Sequence, residues 1–340
     1  MWFEQLPRDL QIRFALAVAE KKAELGLDAS FDRSWFFDTN CISELVKLYK
    51  GGFAREVQSF IAARDVLLTG SVVQELRKAP GLITHLETAL KGANVILVPD
   101  VTKFWLTDIA NFLNVDGFKI NTLEAYPLLP GFLPPLIRNE GFLTACRAAE
   151  NKVRSRFFSQ IEDDIGSNLD ERELCVHIWW HVREHGKEWF DIEIPPADAT
   201  PRNFPSFYAF YYTYYFRYMK TSQVKPELGD FLDLLNCMAV PYCERFYGER
   251  KFTNILRGYV QGREPPSVLQ IVKHMKRKGF AHPDAYQDAR RKRTRLGVKY
   301  KLLPRVSIFN FSEMRDHIIC ASNESVDTNY NASLPRIGPE

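Results

Sequence analysis

The sequence has few cysteines, and they lack the close spacing that clustered metal sites use. The chain has 340 residues and contains no Cys-x-x-Cys pair. Its six cysteines are Cys41, Cys146, Cys175, Cys237, Cys243 and Cys320. This scatter argues against zinc clusters and against a secreted disulfide scaffold. We therefore expect reduced thiols, most of them buried.

Long apolar runs are also missing. No run approaches the ~18 apolar residues that a membrane-spanning helix needs, and the first eight residues lack a signal-peptide pattern. Hydrophobic residues nevertheless make up 46% of the chain, enough to bury a sizeable core. The composition predicts a globular cytosolic protein of one large domain or two, with no membrane partner.

Net charge is small, at +3, but its distribution is uneven. Residues 273–305 carry twelve basic side chains and only two acidic ones, so acids outnumber bases in the rest of the chain. Such a segment is typical of nucleic-acid binding, although a solvated surface helix gives the same pattern. The side chains expected to contact substrate phosphates are Arg290, Arg291, Lys292, Arg293 and Arg295.

Several hydrophobic runs lead to an acidic residue. Residues 35–37 are Trp-Phe-Phe and precede Asp38, residues 66–68 lead to Glu75, and two further acid-bearing runs lie at 229–233 and 244–249. Buried parallel strands read as apolar runs, and side chains beyond their carboxyl ends line the crevice of an α/β sheet. Carboxylates gathered there repel one another unless a cation lies between them. A divalent metal ion is the usual solution.

Strand and helix patterns alternate along the first hundred residues. Strands are predicted at 34–38, 66–68 and 95–99. Helices are predicted at 42–63, interrupted near Gly51-Gly52, and then at 71–78 and 82–91, with a further N-terminal helix within 5–25. This alternation favours a parallel sheet with right-handed crossovers.

These segments together resemble the PIN-domain nucleases over roughly residues 30–100 and 226–312. Asp38-Thr39-Asn40 is similar to the motif that ends the family's first strand, and Glu75 falls where the family has a Glu early in a helix. Residues 229–236 resemble the family's Asp-led helix, 240–249 the strand after it, and 306–311 the last strand. Two features depart from the pattern. Gly248 replaces a Thr, and Glu244 and Glu249 replace aspartates.

The resemblance implies an α/β fold of three layers, PIN-like, with a central parallel sheet of about five strands flanked by helices. It also implies catalysis by a metal-activated water. The expected ligands of Mg²⁺ or Mn²⁺ are Asp38, Glu75, Asp233 and Glu249. Asp230 is expected to assist, with Asp233 preferred over it because its spacing to Glu249 better matches the family. Thr39 and Asn40 are expected to orient Asp38 or a metal-bound water.

The resemblance also implies a class of substrate and a type of partner. Most such nucleases cut RNA, many as bacterial toxins or defence effectors restrained by a partner protein, so an endoribonuclease with an inhibitory or complex-forming partner is expected. Related cores cut DNA, so DNA stays open, as does homodimer formation.

Two other functions compete with a nuclease. A catalytically degenerate scaffold that binds nucleic acid or protein is favoured by the changes at 247–249. A phosphatase of the haloacid dehalogenase kind also begins with an Asp after strand one, but it needs a second Asp where Asn40 stands.

Residues 101–225 are not explained by the resemblance. Their proline-broken pattern predicts a helical insertion in a nuclease core formed by 1–100 and 226–320, with a flexible tail at 321–340. His177, His181 and His185 share one helix face, which suggests either metal ligands or, more simply, a half-exposed face. The aromatic run at 204–218 predicts a buried helix, with base stacking as the alternative.

Overall fold

The structure is a computed structural model. It describes residues 34–112, 126–128, 131–161, 178, 181–184, 187, 193–194, 202–219, 227–260 and 306–320. The predicted N-terminal helix within 5–25, the basic segment 273–305, the tail 321–340 and two of the three histidines, His177 and His185, lie outside the described residues.

Six strands and a set of helices make up the described fold. The strands are β1 (Ser34–Phe37), β2 (Asp65–Thr69), β3 (Asn94–Val98), β4 (Tyr126–Leu128), β5 (Arg245–Gly248) and β6 (Ser307–Asn310). The helices before β5 are α1 (Thr39–Lys50), α2 (Ala54–Ile61), α3 (Gly70–Leu76), α4 (Pro80–Ala89), α5 (Lys103–Phe112), α6 (Leu133–Arg138), α7 (Glu140–Ile161), α8 (Pro205–Tyr214) and α9 (Leu228–Asn236). A π-helical turn (Tyr215–Met219) follows α8 and a 3-10 segment (Cys237–Tyr242) follows α9. After β5 come α10 (Arg250–Val260) and α11 (311–320).

The six strands form one sheet in the order β4-β3-β2-β1-β5-β6. Five of them are parallel, which confirms the predicted α/β class and strand number. The exception is β4, which pairs antiparallel with β3, with Pro127 opposite Ile96. Residues 101–225 were predicted to be mostly helical, and β4 is a short strand within that stretch. Its proline sits at the edge of the sheet, where its missing N–H costs no ladder hydrogen bond.

The central strands are buried on both faces, as their sequences predicted. All four residues of β1 are buried, and aromatic rings connect it to β5. Phe36 stacks on Phe246 with ring centroids 5.0 Å apart, and Phe37 stacks on Tyr247 at 4.8 Å. A strand surrounded in this way needs helices above and below the sheet.

Helices from the first and second halves of the chain cover opposite faces of the sheet. From β1 it moves through β2 to β3 in one direction, and the helices of that half, α1, α2 and α4, contact one another. It then returns past β1 to β5 and β6, and α8 contacts α5, α9 and α10. Right-handed crossovers in opposite directions place helices on opposite faces, which gives the three layers.

The aromatic run forms α8 and belongs to the core. Phe207, Tyr208, Phe210 and Tyr211 are each at most 1% exposed, so the expectation of a buried helix is confirmed. Trp105 of α5 stacks on Phe207 with centroids 4.5 Å apart. Burial of this many rings is a large apolar contribution to stability.

Asp108 of α5 caps the start of this aromatic helix. Its Oδ2 accepts hydrogen bonds from the Ser206 and Phe207 amides at 2.8 and 3.3 Å, and Oδ1 accepts from the hydroxyls of Ser206 and Tyr242. Burial raises the pKa of Asp108 to about 8, although the hydrogen bonds act in the opposite direction.

The described cysteines fit the predicted reduced state. Cys41, Cys146, Cys237 and Cys243 are buried, Cys320 is exposed, and none of these five is in a disulfide. His181 is also buried, and its ring stacks on that of Tyr211 with centroids 5.6 Å apart, which corrects the expectation of a half-exposed position.

Within the described ranges no helix is long and apolar enough to cross a membrane.

Candidate active site

An open acidic cleft lies at the carboxyl end of the parallel strands, where the chain reverses direction across β1. Its volume is about 420 Å³. The side chains that line it are Thr39, Asn40, Glu75, Lys78, Glu227, Asp230, Asp233, Glu249 and Lys251. Ligands of open α/β sheets bind at such a switch point, outside the strand ends. Five acids and two lysines give the cleft an excess of negative charge.

Asp38 lies beneath this cleft and ties two strands and a helix together. It is the N-cap of α1, and its Oδ1 accepts from the Cys41 amide at 2.8 Å. Its Oδ2 accepts from the Glu249 amide, just after β5, at 2.6 Å. Burial raises the pKa of Asp38 to about 6 against the effect of these hydrogen bonds. The residue predicted as a ligand is thus also a structural cap.

Gly248 explains one departure from the PIN pattern. A Cβ at this position would lie 2.7 Å from the Phe246 ring and 3.3 Å from Oδ2 of Asp38. The first distance is too short for a Thr or any other side chain unless the ring moves. Glycine here lets the backbone after β5 approach Asp38 closely enough for the Glu249 amide to reach its carboxylate.

Glu75 enters the cleft from α3, which begins directly after β2. Gly70 permits this abrupt start, since a Cβ there would lie 2.0 Å from the Pro99 carbonyl oxygen. The Thr39 hydroxyl donates to Oε2 of Glu75. Burial raises the pKa of Glu75, the hydrogen bond from Thr39 and the charge of Lys78 oppose that rise, and the charge of Glu249 adds to it.

Asp233 is a buried acid of the cleft with little compensation. Its carboxylate accepts no hydrogen bond from the residues that the structure describes. Burial raises its pKa to about 8, and the charges of Glu75, Asp38 and Glu249 raise it further while Lys251 lowers it. Four acids from four separate segments therefore act on one another electrostatically. The structure thus brings the acids of these segments together, and their role as metal ligands stays a prediction.

Asp230 and Glu249 share a lysine. The Lys251 ammonium lies 2.9 Å from Oε2 of Glu249 and 3.4 Å from Oδ1 of Asp230. The Asn40 amide donates to Oε1 of Glu249 at 2.5 Å. Thr39 and Asn40 therefore orient Glu75 and Glu249 through these hydrogen bonds, and their expected role in orienting Asp38 or a metal-bound water stays a prediction. They follow the cap residue on the first turn of α1, so their side chains face the cleft.

A buried polar network fixes the spacing of two helices that bear acids. Oδ1 of Asn236, at the end of α9, accepts from the Thr69 and Ser71 hydroxyls at 2.7 and 2.5 Å. Thr69 ends β2 and Ser71 lies in α3, so the network connects the helix of Asp233 to that of Glu75. One signal of this network is visible in the sequence, namely a pair of hydroxyl residues flanking a glycine at a strand end.

Other residues singled out by the sequence lie elsewhere. Glu244 precedes β5 at the opposite end of the sheet from the cleft, where its amide donates to Ser34 and its carboxylate pairs with Arg245 at 3.9 Å. Arg290 and the other basic residues assigned to phosphate contact lie outside the described residues. Sequence reasoning did not anticipate the cleft residues Lys78, Glu227 and Lys251.

The donor set fits a hard divalent cation in its chemistry. The cleft offers carboxylates, an amide and a hydroxyl, with no thiol or imidazole in its lining. Mg²⁺ and Mn²⁺ prefer such oxygen ligands. In the described part of the chain, however, no three His, Cys, Asp or Glu side chains are arranged so that they could hold an ion as they stand. Binding would require the carboxylates to turn toward the ion.

No protein-family model, curated protein or solved structure matches this chain. The resemblance to PIN-domain nucleases therefore rests on the motifs alone.

Proposed function

We propose that the chain is a metal-dependent nuclease, in the first instance an endoribonuclease. The observation that carries this proposal is the electrostatic coupling of Asp233 to three other acids at one open cleft. Water compensates the charge of a carboxylate that is exposed to solvent. A buried carboxylate with a structural role is normally compensated by hydrogen bonds or lysines. An uncompensated acid among like charges is an arrangement that favours binding of a cation.

Each side chain has a distinct part in this proposal. Asp38, Glu75 and Asp233 would hold Mg²⁺ or Mn²⁺, with Glu249 beside them. A bound ion supplies a water of lowered pKa and neutralises charge on the scissile phosphate. Thr39 restricts the rotation of Glu75 through its hydroxyl, and Asn40 does the same for Glu249. Mutual repulsion keeps the acids spread while no cation is between them.

The proposed substrate is a polyanion, which the acidic cleft alone would repel. A cation in the cleft and the basic residues within 273–305 would together overcome that repulsion. The preference for RNA, and a role as a toxin or defence effector restrained by a partner protein, come from the resemblance to PIN-domain nucleases.

Cleavage of end-labelled RNA and of single-stranded DNA of the same sequence tests the proposal. Wild type should cut RNA with Mg²⁺ or Mn²⁺ and not with chelator, and Asp233→Asn should be inactive with either ion. Asp100→Asn is the matched control. Asp100 follows β3, at the same carboxyl end of the strands as the cleft, but it does not line the cleft. Cleavage in chelator, or by Asp233→Asn at the wild-type rate, would contradict the proposal.

A scaffold that binds without cutting is the second candidate. The observation that favours it is that several acids already have structural partners, namely two backbone amides at Asp38 and Lys251 at Asp230 and Glu249. Wild-type protein that binds RNA but leaves it intact with both ions would identify this function.

A further inference from the structure

Lys251 lies between two carboxylates of the cleft. Its ammonium is 2.9 Å from Glu249 and 3.4 Å from Asp230, and its charge also acts on Asp233. Its side chain is only 34% exposed, so solvent screens these contacts incompletely. Burial lowers the pKa of Lys251, but the hydrogen bond and charge of Glu249 and the charge of Asp230 raise it more, so the amine stays protonated.

We propose that the Lys251 ammonium takes the place of a second metal ion in this cleft, so that the site accepts one divalent cation rather than two. The inference rests on the proposed function, because it assumes that the cleft binds a divalent ion. It assigns that ion to Asp38, Glu75 and Asp233, and assigns Asp230 and Glu249 to the lysine.

The ion pairs of Lys251 oppose binding of a second ion. The lining contains five acids, to which Asp38 beneath the cleft adds a sixth, and two lysines. One divalent ion with the two lysines neutralises most of this charge, and a second ion would have to displace Lys251 from both of its partners. Displacement would leave the partly buried ammonium of Lys251 without its two partners, which is costly.

The alternative role for Lys251 is a contact with the substrate phosphate. In that role its ammonium must leave Asp230 and Glu249 when substrate binds, and the number of metal ions would not depend on it. Counting ions in the absence of substrate therefore distinguishes the two roles.

The experiment counts Mn²⁺ ions bound per chain, from the electron paramagnetic resonance signal of free Mn²⁺ during titration. We expect one ion for wild type, two for Lys251→Met, and one for Lys251→Arg, which keeps the positive charge. The double variant Lys251→Met with Asp230→Asn should return to one ion, since the second ion loses a ligand. Far-UV circular dichroism establishes that each variant is folded.

Lys78→Met is the matched control for overall charge. Lys78 lines the same cleft, and its removal changes the net charge equally, but it does not bridge Asp230 and Glu249. It should leave the count at one.

Three results would overturn the inference while leaving the proposed function intact. They are two ions in wild type, one ion in folded Lys251→Met, and two ions in Lys78→Met. One ion in Lys251→Met with weakened RNA affinity would assign Lys251 to the phosphate. A wild-type protein that binds no Mn²⁺ would instead contradict the proposed function itself.

Discussion

The Asp233 carboxyl should make the metal-free protein less stable as the pH rises. Its pKa lies at about 8 in the folded chain against an ordinary 3.8, first because of burial and then because of neighbouring acids. Between roughly pH 4 and pH 8 the folded chain holds a proton that the unfolded chain has released. The free energy of unfolding therefore falls with rising pH, by about 1.4 kcal/mol per pH unit from this group. Its contribution is complete below pH 4 and lost by pH 8.

Asp233→Asn should remove this pH dependence. An amide resembles the neutral acid in shape and carries no charge to desolvate. At pH 7 the variant should be more stable than wild type by on the order of 2–4 kcal/mol, although the proposed function predicts that it is inactive. The same substitution would thus raise stability and abolish activity. A substitution that raises stability but removes activity is expected where like charges are brought together for function.

Urea unfolding at pH steps from 5 to 8, with chelator, measures this effect. Mg²⁺ or Mn²⁺ should then restore stability to wild type at pH 8 and have much less effect on Asp233→Asn, because ligands that bind only the folded state stabilise it. Asp100→Asn is again the control and should retain the wild-type slope. Equal slopes for wild type and Asp233→Asn would refute the argument, since they would mean that the carboxylate is already compensated in the folded protein.

Three further predictions concern other positions. Gly70→Ala should lower the free energy of unfolding by roughly 3 kcal/mol because its Cβ meets a carbonyl oxygen, whereas Gly81→Ala in open space should raise it by about 0.5–1 kcal/mol, both measured by urea unfolding. Asp108→Asn should exceed wild type in melting temperature already at pH 6 and by more at pH 9, because burial raises the pKa of this carboxyl from 3.8 to about 8; a difference that does not grow between pH 6 and pH 9 would contradict this. Glu249→Gln should reduce the initial cleavage rate less than Asp38→Asn, with partial rescue by Mn²⁺, and equal loss with either ion would make Glu249 a direct metal ligand.

The sequence predicted those parts of the fold that are set by local pattern. Three aromatic residues followed by Asp38 indicated a buried strand ending at a site, and the structure has both the strand and the cap. Strand three and the helix of Asp230 and Asp233 were also found within a few residues of their bounds. Apolar runs and helix starts carry this information because they depend on near neighbours.

Long-range contacts explain what sequence reasoning missed. The network of Asn236 with Thr69 and Ser71 joins residues more than 160 positions apart, and nothing in either segment indicates the other. Lys251 reads as an ordinary polar residue near the start of an amphipathic helix, and only the fold brings Asp230 beside it. The strand β4 is three residues long and contains a proline, so no periodic pattern marks it.

The double role of Asp38 changes how related sequences should be interpreted. Because its carboxylate holds the start of α1 and the backbone after β5, selection for folding alone would retain an acid at this position even in a chain that had lost catalysis. An aspartate here is therefore poor evidence that a homologue is active. The Asp233 carboxylate accepts no hydrogen bond among the described residues and is predicted to cost stability, so a descendant without the proposed activity would be expected to lose it first.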